Sequence, residues 1–155
     1  MLNKRALERS LELDLSFIKK DAEAKLGWSN EKTQRVEKEY RRFFALCYDH
    51  ENDMIPTQEI DEFWELHIQD TSAYAQDCSY VLGRFLHHVP NYLEKTPDAT
   101  EADVNIRIQK TVSMFRSEFN EDLRYPVVAA CKSCIPTYDP PKPPPPRSPS
   151  LSSYA

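Results

Sequence analysis

Over most of the chain, hydrophobic residues recur at three- and four-residue spacing, the period of a helix that hides one face. Leu7, Leu11, Leu15, Ile18, Ala22 and Leu26 follow this spacing, with Phe17 widening the stripe, and predict a first helix over residues 1–26. Gly27 is placed to end it in a left-handed turn. Ser29 then caps a second helix over 30–49, with Val36, Tyr40, Phe43, Phe44 and Cys47 on its inner face. The other side carries Glu31, Lys32, Arg35, Glu37, Lys38, Glu39 and Arg41. These opposite charges at helical spacing read as a solvated face and not as a binding patch.

The stretch 49–56 reads as a loop. Thr57 caps a third helix over 58–69, in which Ile60, Phe63, Trp64, His67 and Ile68 share one side, while Asp61, Glu62, Glu65 and Gln69 fall mainly elsewhere. Asp70 or Thr71 caps a fourth over 72–82, with Tyr74, Cys78, Val81 and Leu82 inward and Gly83 as its stop. A short segment, RFLHHVPNY, follows. Thr100 and Asp103 then form a capping-box-like start to a last helix over 101–122, striped by Val104, Ile108, Val112, Phe115 and Phe119.

Beyond Pro126 the pattern stops, and eight of the 12 prolines lie between 136 and 149. Such a stretch favours an extended, hydrated chain that cannot bury a core. The expected architecture is therefore all-α: a single domain of about five helices over residues 1–130, followed by a disordered proline-rich tail over 131–155. The length of 155 residues suits one domain, and 40% apolar with 29% charged residues suits a globular one. Two glycines leave no phosphate-cradling loop, so no nucleotide cofactor is expected. A net charge of −5 argues against a nucleic-acid partner. No apolar run approaches the roughly 20 residues that span a bilayer, and the N-terminus lacks a signal-peptide pattern. The expected setting is the cytoplasm, away from membranes.

The candidate chemistry centres on His67, His87 and His88, with Asp61, Glu65, Asp70 and Asp77 close in sequence. Imidazole and carboxylate together suit transition metals, iron or zinc first among them. A helix would supply His67 from its inner face, and a turn about 20 residues later would bring in the adjacent pair. Neighbouring histidines outside a helix point apart, so one would face inward and the other outward. No compact signature such as His-Glu-x-x-His is present, and the competing reading is a buried His67 hydrogen-bonded to a helix-end carbonyl or an aspartate. Cys131-Lys-Ser-Cys134 is half a zinc site or a redox pair. The Ile-Pro-Thr-Tyr-Asp-Pro that follows is a poor helix start, so reduced thiols are the favoured reading. The run PPKPPPPRSP is similar to ligands of polyproline-reading domains, but both basic registers are broken, at Ser148 and at Lys142.

With these residues in view, the block Tyr40–Tyr92 resembles the glycine-rich domain-containing protein-like family. The residues that carry the likeness are Pro56-Thr57, Ile60-Asp61, Trp64-Glu65-Leu66-His67-Ile68, Asp70-Thr71, Tyr74, Asp77-Cys78, Gly83 and Leu86-His87-His88 with Pro90. That family's pattern has Trp-His-x-His where this chain has Trp64-Glu65-Leu66-His67. The resemblance thus implies either a carboxylate in place of a histidine ligand or a lost metal. No glycine-rich segment is present, and no reaction comes with the likeness.

The expected centre has His67, His87, His88, Glu65 and Asp61 as metal ligands, with Trp64, Asp70, Tyr74, Asp77 and Cys78 around them. Whether it catalyses a reaction is left open. The alternative is a metal-free interaction or accessory module, which would meet a protein partner through its helical surface or its proline-rich tail.

Overall fold

A computed structural model describes residues 1–125 and 135–138. The described chain is helical, as expected, and has seven helices. The extra ones come from a break in the first and from a single turn, α6 (Tyr92–Lys95). Where one helix was expected over 1–26, the chain forms α1 (Lys4–Glu12) and α2 (Ser16–Leu26). The reason lies at the corner. Leu13 and Leu15 are both buried, yet residues two apart on one helix point about 200° from each other. Breaking the helix turns both inward, and Asp14 stabilises the break by accepting hydrogen bonds from Ser16 N (3.0 Å) and Ser16 Oγ (2.6 Å). Leu11 and Phe17, expected in the stripe, are left 58% and 76% exposed.

The break also overturns the reading of Glu37 and Arg41 as solvated. The guanidinium of Arg41 donates to Ser10 O and, at 2.8 Å, to Leu13 O, closing the C-terminal end of α1. Its charge is met by Glu37 at 2.8 Å, and the two side chains are only 12% and 14% exposed. Lys32 and Arg35, on the same helix, reach Glu59 at 3.0 and 2.7 Å instead of simply facing water.

Gly27 ends α2 at φ +67°, and Ser29 Oγ accepts from Lys32 N at 3.2 Å to start α3 (Asn30–His50). A single 3-10 turn, Glu51–Asp53, leads into the loop. Thr57 Oγ1 accepts from Ile60 N (3.1 Å) to start α4 (Gln58–Gln69), and Asp70 Oδ1 accepts from Ala73 N (3.0 Å) to start α5 (Thr71–Leu82). Gly83 ends α5 at φ +74°. Thr100 and Asp103 form the full capping box of α7 (Glu101–Phe119), which ends three residues earlier than expected because Asn120 turns left-handed, at φ 53°.

The long α3 is the hub, packed on α1, α2, α4 and α5. Tyr40, Phe43 and Phe44 from α3 meet Phe63 and Trp64 from α4 and Tyr74 from α5, all at 1% exposure or less. Each such ring contributes roughly 1.5–3 kcal/mol of burial, so the three-helix junction is where the fold is held most firmly.

Two short strands interrupt the helices. In β1 (His87–Val89) and β2 (Ile135–Thr137) the chains run antiparallel, with His88 opposite Pro136. Tyr138 then donates through its hydroxyl to Cys47 O at 2.8 Å. The expected domain boundary at residue 130, the Cys131–Cys134 pair and residues 139–155 of the proline-rich tail lie outside the described residues. Among the described residues, no helix is long and apolar enough to cross a membrane.

Candidate metal centre

Asp61 and Glu65 stand one turn apart on α4 and so share a face, with Trp64 beside them pointing into the core. A buried aspartate needs a partner, and Asp61 is only 5% exposed. That partner comes from β1: His88 Nε2 lies 2.7 Å from Asp61 Oδ1. A carboxylate accepts, so the Nε2–H donates. Two further contacts hold β1 in place. Tyr74 Oη donates to Leu86 O (2.5 Å), two residues before His88, while accepting from Trp64 Nε1 (3.0 Å). The indole of Trp64 meets the His88 ring nearly perpendicularly, with 4.6 Å between centroids.

The donor atoms of Asp61, Glu65 and His88 lie within 4.8 Å of one another, a group that can hold a metal ion. Asp61 is buried, His88 half-buried and Glu65 exposed, so the group opens to solvent along the Glu65 side. Partial burial pushes the Glu65 carboxyl up, and the negative charge of Asp61 adds to the shift, against a smaller opposing pull from His88. A cation bound between the two carboxylates reverses that repulsion.

His67 belongs to a different arrangement. It is buried, with Nδ1 2.7 Å from Tyr40 Oη and Nε2 2.9 Å from Asp77 Oδ2. Asp77 accepts, so the Nε2 position carries the hydrogen and, in the neutral ring, Nδ1 accepts from the Tyr40 hydroxyl. Burial, reinforced by the neighbouring Tyr74, holds the Tyr40 phenol well above its ordinary pKa, so it remains a donor. Both His67 nitrogens are thus occupied, and the ring lies edge-on to Tyr40 and Tyr74. The expected ligand His67 is therefore a core histidine bonded to an aspartate. Periodicity had placed it on the right face; its bond to Tyr40, from another helix, left no local signal.

His87, also named among the expected ligands, alternates with His88 along β1 and meets Phe85 at 4.8 Å between centroids, outside the donor group, because successive strand residues face opposite ways. Asp70 is exposed and caps α5. Trp64 and Tyr74 lie beneath the site as its buried support. Cys78 is buried next to Tyr74, and burial pushes its thiol up to about 11. Of the ten expected residues, the structure gathers Asp61, Glu65 and His88 as donors on Trp64 and Tyr74. It places His67 in the core, bonded to the half-buried Asp77. The donor set joins α4 to a strand more than 20 residues away, which is why spacing could propose Asp61 and Glu65 but could not choose among the histidines.

A protein-family model, UCP032817-like, matches residues 4–127. The chain belongs to the UCP032817-like family. This overturns the resemblance to the glycine-rich domain-containing protein-like family. Of the residues behind that likeness, Trp64, His67, Tyr74 and Cys78 are buried together and the half-buried Asp77 bonds His67 at their edge, so they describe how the block packs. No curated protein and no solved structure matches the chain.

Proposed function

We propose that this UCP032817-like domain binds a divalent transition metal, iron or zinc, through Asp61, Glu65 and His88. The observation that carries the reading is the convergence of two carboxylates and one imidazole, from two separate elements, within 4.8 Å. One nitrogen and two oxygen donors suit either ion. Metal–ligand bonds of about 2.0–2.2 Å put neighbouring donor atoms roughly 3 Å apart. Binding displaces the proton that His88 Nε2 shares with Asp61; that proton leaves to solvent or is replaced by one on Nδ1. The Asp61–His88 pair, at 2.7 Å, then has to open only slightly, while Glu65, exposed and free to change rotamer, swings in. Three protein ligands leave positions for water or a substrate, which is the coordination of a reactive site more than of a structural one. When bound, the ion would supply Lewis acidity or, for iron, redox chemistry. Asp61 and His88 would hold it against the protein, and Trp64 would fix the imidazole plane from below.

The test is metal content by mass spectrometry on untagged protein, then equilibrium binding of zinc and, anaerobically, ferrous iron. The reading expects near-stoichiometric metal that is lost in Asp61→Ala and His88→Ala, weakened in Glu65→Ala, and retained in His87→Ala. Protein that stays empty with both ions would refute it. The Asp61–His88 hydrogen bond would then be a structural latch in a metal-free interaction module.

A further inference from the structure

His88 is the only donor of the proposed site that does not come from α4, and β1 is three residues long. Its other neighbour is β2, and a two-stranded pair this short is not stable by itself. Its stability comes from the residue that follows. Tyr138 Oη donates to Cys47 O on α3 at 2.8 Å, and the Arg84 guanidinium lies 3.5 Å above the Tyr138 ring. Arg84 in turn stands four residues before His88, and Pro136, directly opposite His88, is buried. Tyr138 thus ties the segment Ile135–Tyr138 both to the core helix, through Cys47, and to the approach of β1, through Arg84.

We propose that Ile135–Tyr138 is a strap that holds His88 against Asp61, with Tyr138 and Arg84 as positioning residues of the metal site. The proposal deepens the metal reading and rests on it for its effect on affinity. The strap itself acts on His88 with or without a metal. It sets how far His88 is preorganised, because without β2 the strand between the Leu86 anchor and α6 keeps its Asp61 hydrogen bond and its Trp64 ring contact but loses its backbone pairing. Groups that orient a metal ligand typically change affinity by about 10- to 100-fold when removed.

The test uses the full chain with Tyr138→Ala, Tyr138→Phe and Arg84→Ala, each checked for helical content and thermal midpoint. Two quantities are read: the affinity for zinc and, in the metal-free protein, the nuclear magnetic resonance signal of the His88 Nε2–H. In the wild type that proton should exchange slowly with solvent. Tyr138→Ala should speed its exchange and weaken zinc binding about 10- to 100-fold. Tyr138→Phe, which keeps the ring under Arg84 but loses the bond to Cys47, should fall between. If wild type binds zinc and Tyr138→Ala changes neither readout, the strap is refuted and the metal reading stands. If wild type binds no zinc but Tyr138→Ala still frees the His88 proton, the metal reading fails and the strap stands. No zinc and no change at His88 overturns both.

Discussion

Changing Tyr40 to Phe isolates the interaction that keeps His67 apart from the donor group of Asp61, Glu65 and His88. The substitution deletes one hydroxyl and keeps the ring, so the aromatic junction with Phe44 and Phe63 stays filled. What changes is His67 Nδ1, which at present faces the Tyr40 hydroxyl at 2.7 Å in a buried setting. With Nε2–H committed to Asp77 at 2.9 Å, the Nδ1 lone pair loses its partner. A buried acceptor left unsatisfied costs about 1–3 kcal/mol. With a urea slope of about 2 kcal/mol per molar for a small domain, the midpoint should fall by roughly 0.5–1.5 M at unchanged slope. The second arm is Tyr40→Phe with His67→Phe. Removing both partners is close to neutral for the pair, and Asp77, partly exposed, turns to water. The double variant should therefore be less destabilised than the sum of its single variants, with a coupling of about 1 kcal/mol or more. Urea denaturation followed by far-ultraviolet circular dichroism measures all four proteins. A Tyr40→Phe midpoint equal to wild type, or strictly additive single variants, would refute the assigned tautomer and the claim that both ring nitrogens are occupied.

Other consequences follow from the same contacts. Replacing Arg41 with Ala leaves the carbonyls of Ser10 and Leu13 without their donor. It should cost about 1–3 kcal/mol and fray α1, seen as faster amide exchange over Lys4–Glu12 than elsewhere. Burial raises the Glu59 carboxyl, but hydrogen bonds from Arg35 and Lys32 outweigh it and leave the pKa below its ordinary value. A depressed carboxylate stabilises the fold above the ordinary glutamate pKa of about 4.3 and loses that contribution as pH falls through its folded value. A pH series of urea midpoints should therefore show a shallower acid-side fall in Glu59→Gln than in wild type. Cys47 and Cys78 are buried free thiols pushed up by burial, and a thiolate is needed for alkylation. Peptide mapping after iodoacetamide at neutral pH should find both unmodified in the folded protein and modified in urea; labelling of the folded protein would contradict their placement.

Local pattern was enough to determine the helices that carry the site. The stripe Ile60, Phe63, Trp64, His67 and the caps at Ser29, Thr57, Asp70 and Thr100 are decided by side chains within a few residues of one another. So are the glycine stops at Gly27 and Gly83, and the structure has them where the sequence put them. The break at Asp14 was not legible in that way, because Leu15 fits a helical stripe with Leu11 and Ile18, and only packing in the folded chain gives Leu13 a buried place as well, with Arg41 of α3 bonding its carbonyl. The roles of the histidines were equally a tertiary matter. Sequence supplied His67 together with His87 and His88, without deciding which of the adjacent pair faces inward. Tyr40, 27 residues before His67, claimed the first. Strand alternation turned the second away, and Asp61, 27 residues before His88, drew in the third. A helix is specified by neighbours in the chain, whereas the donor atoms that converge on one place depend on which distant partner each side chain meets. That selection exists only once the chain has folded.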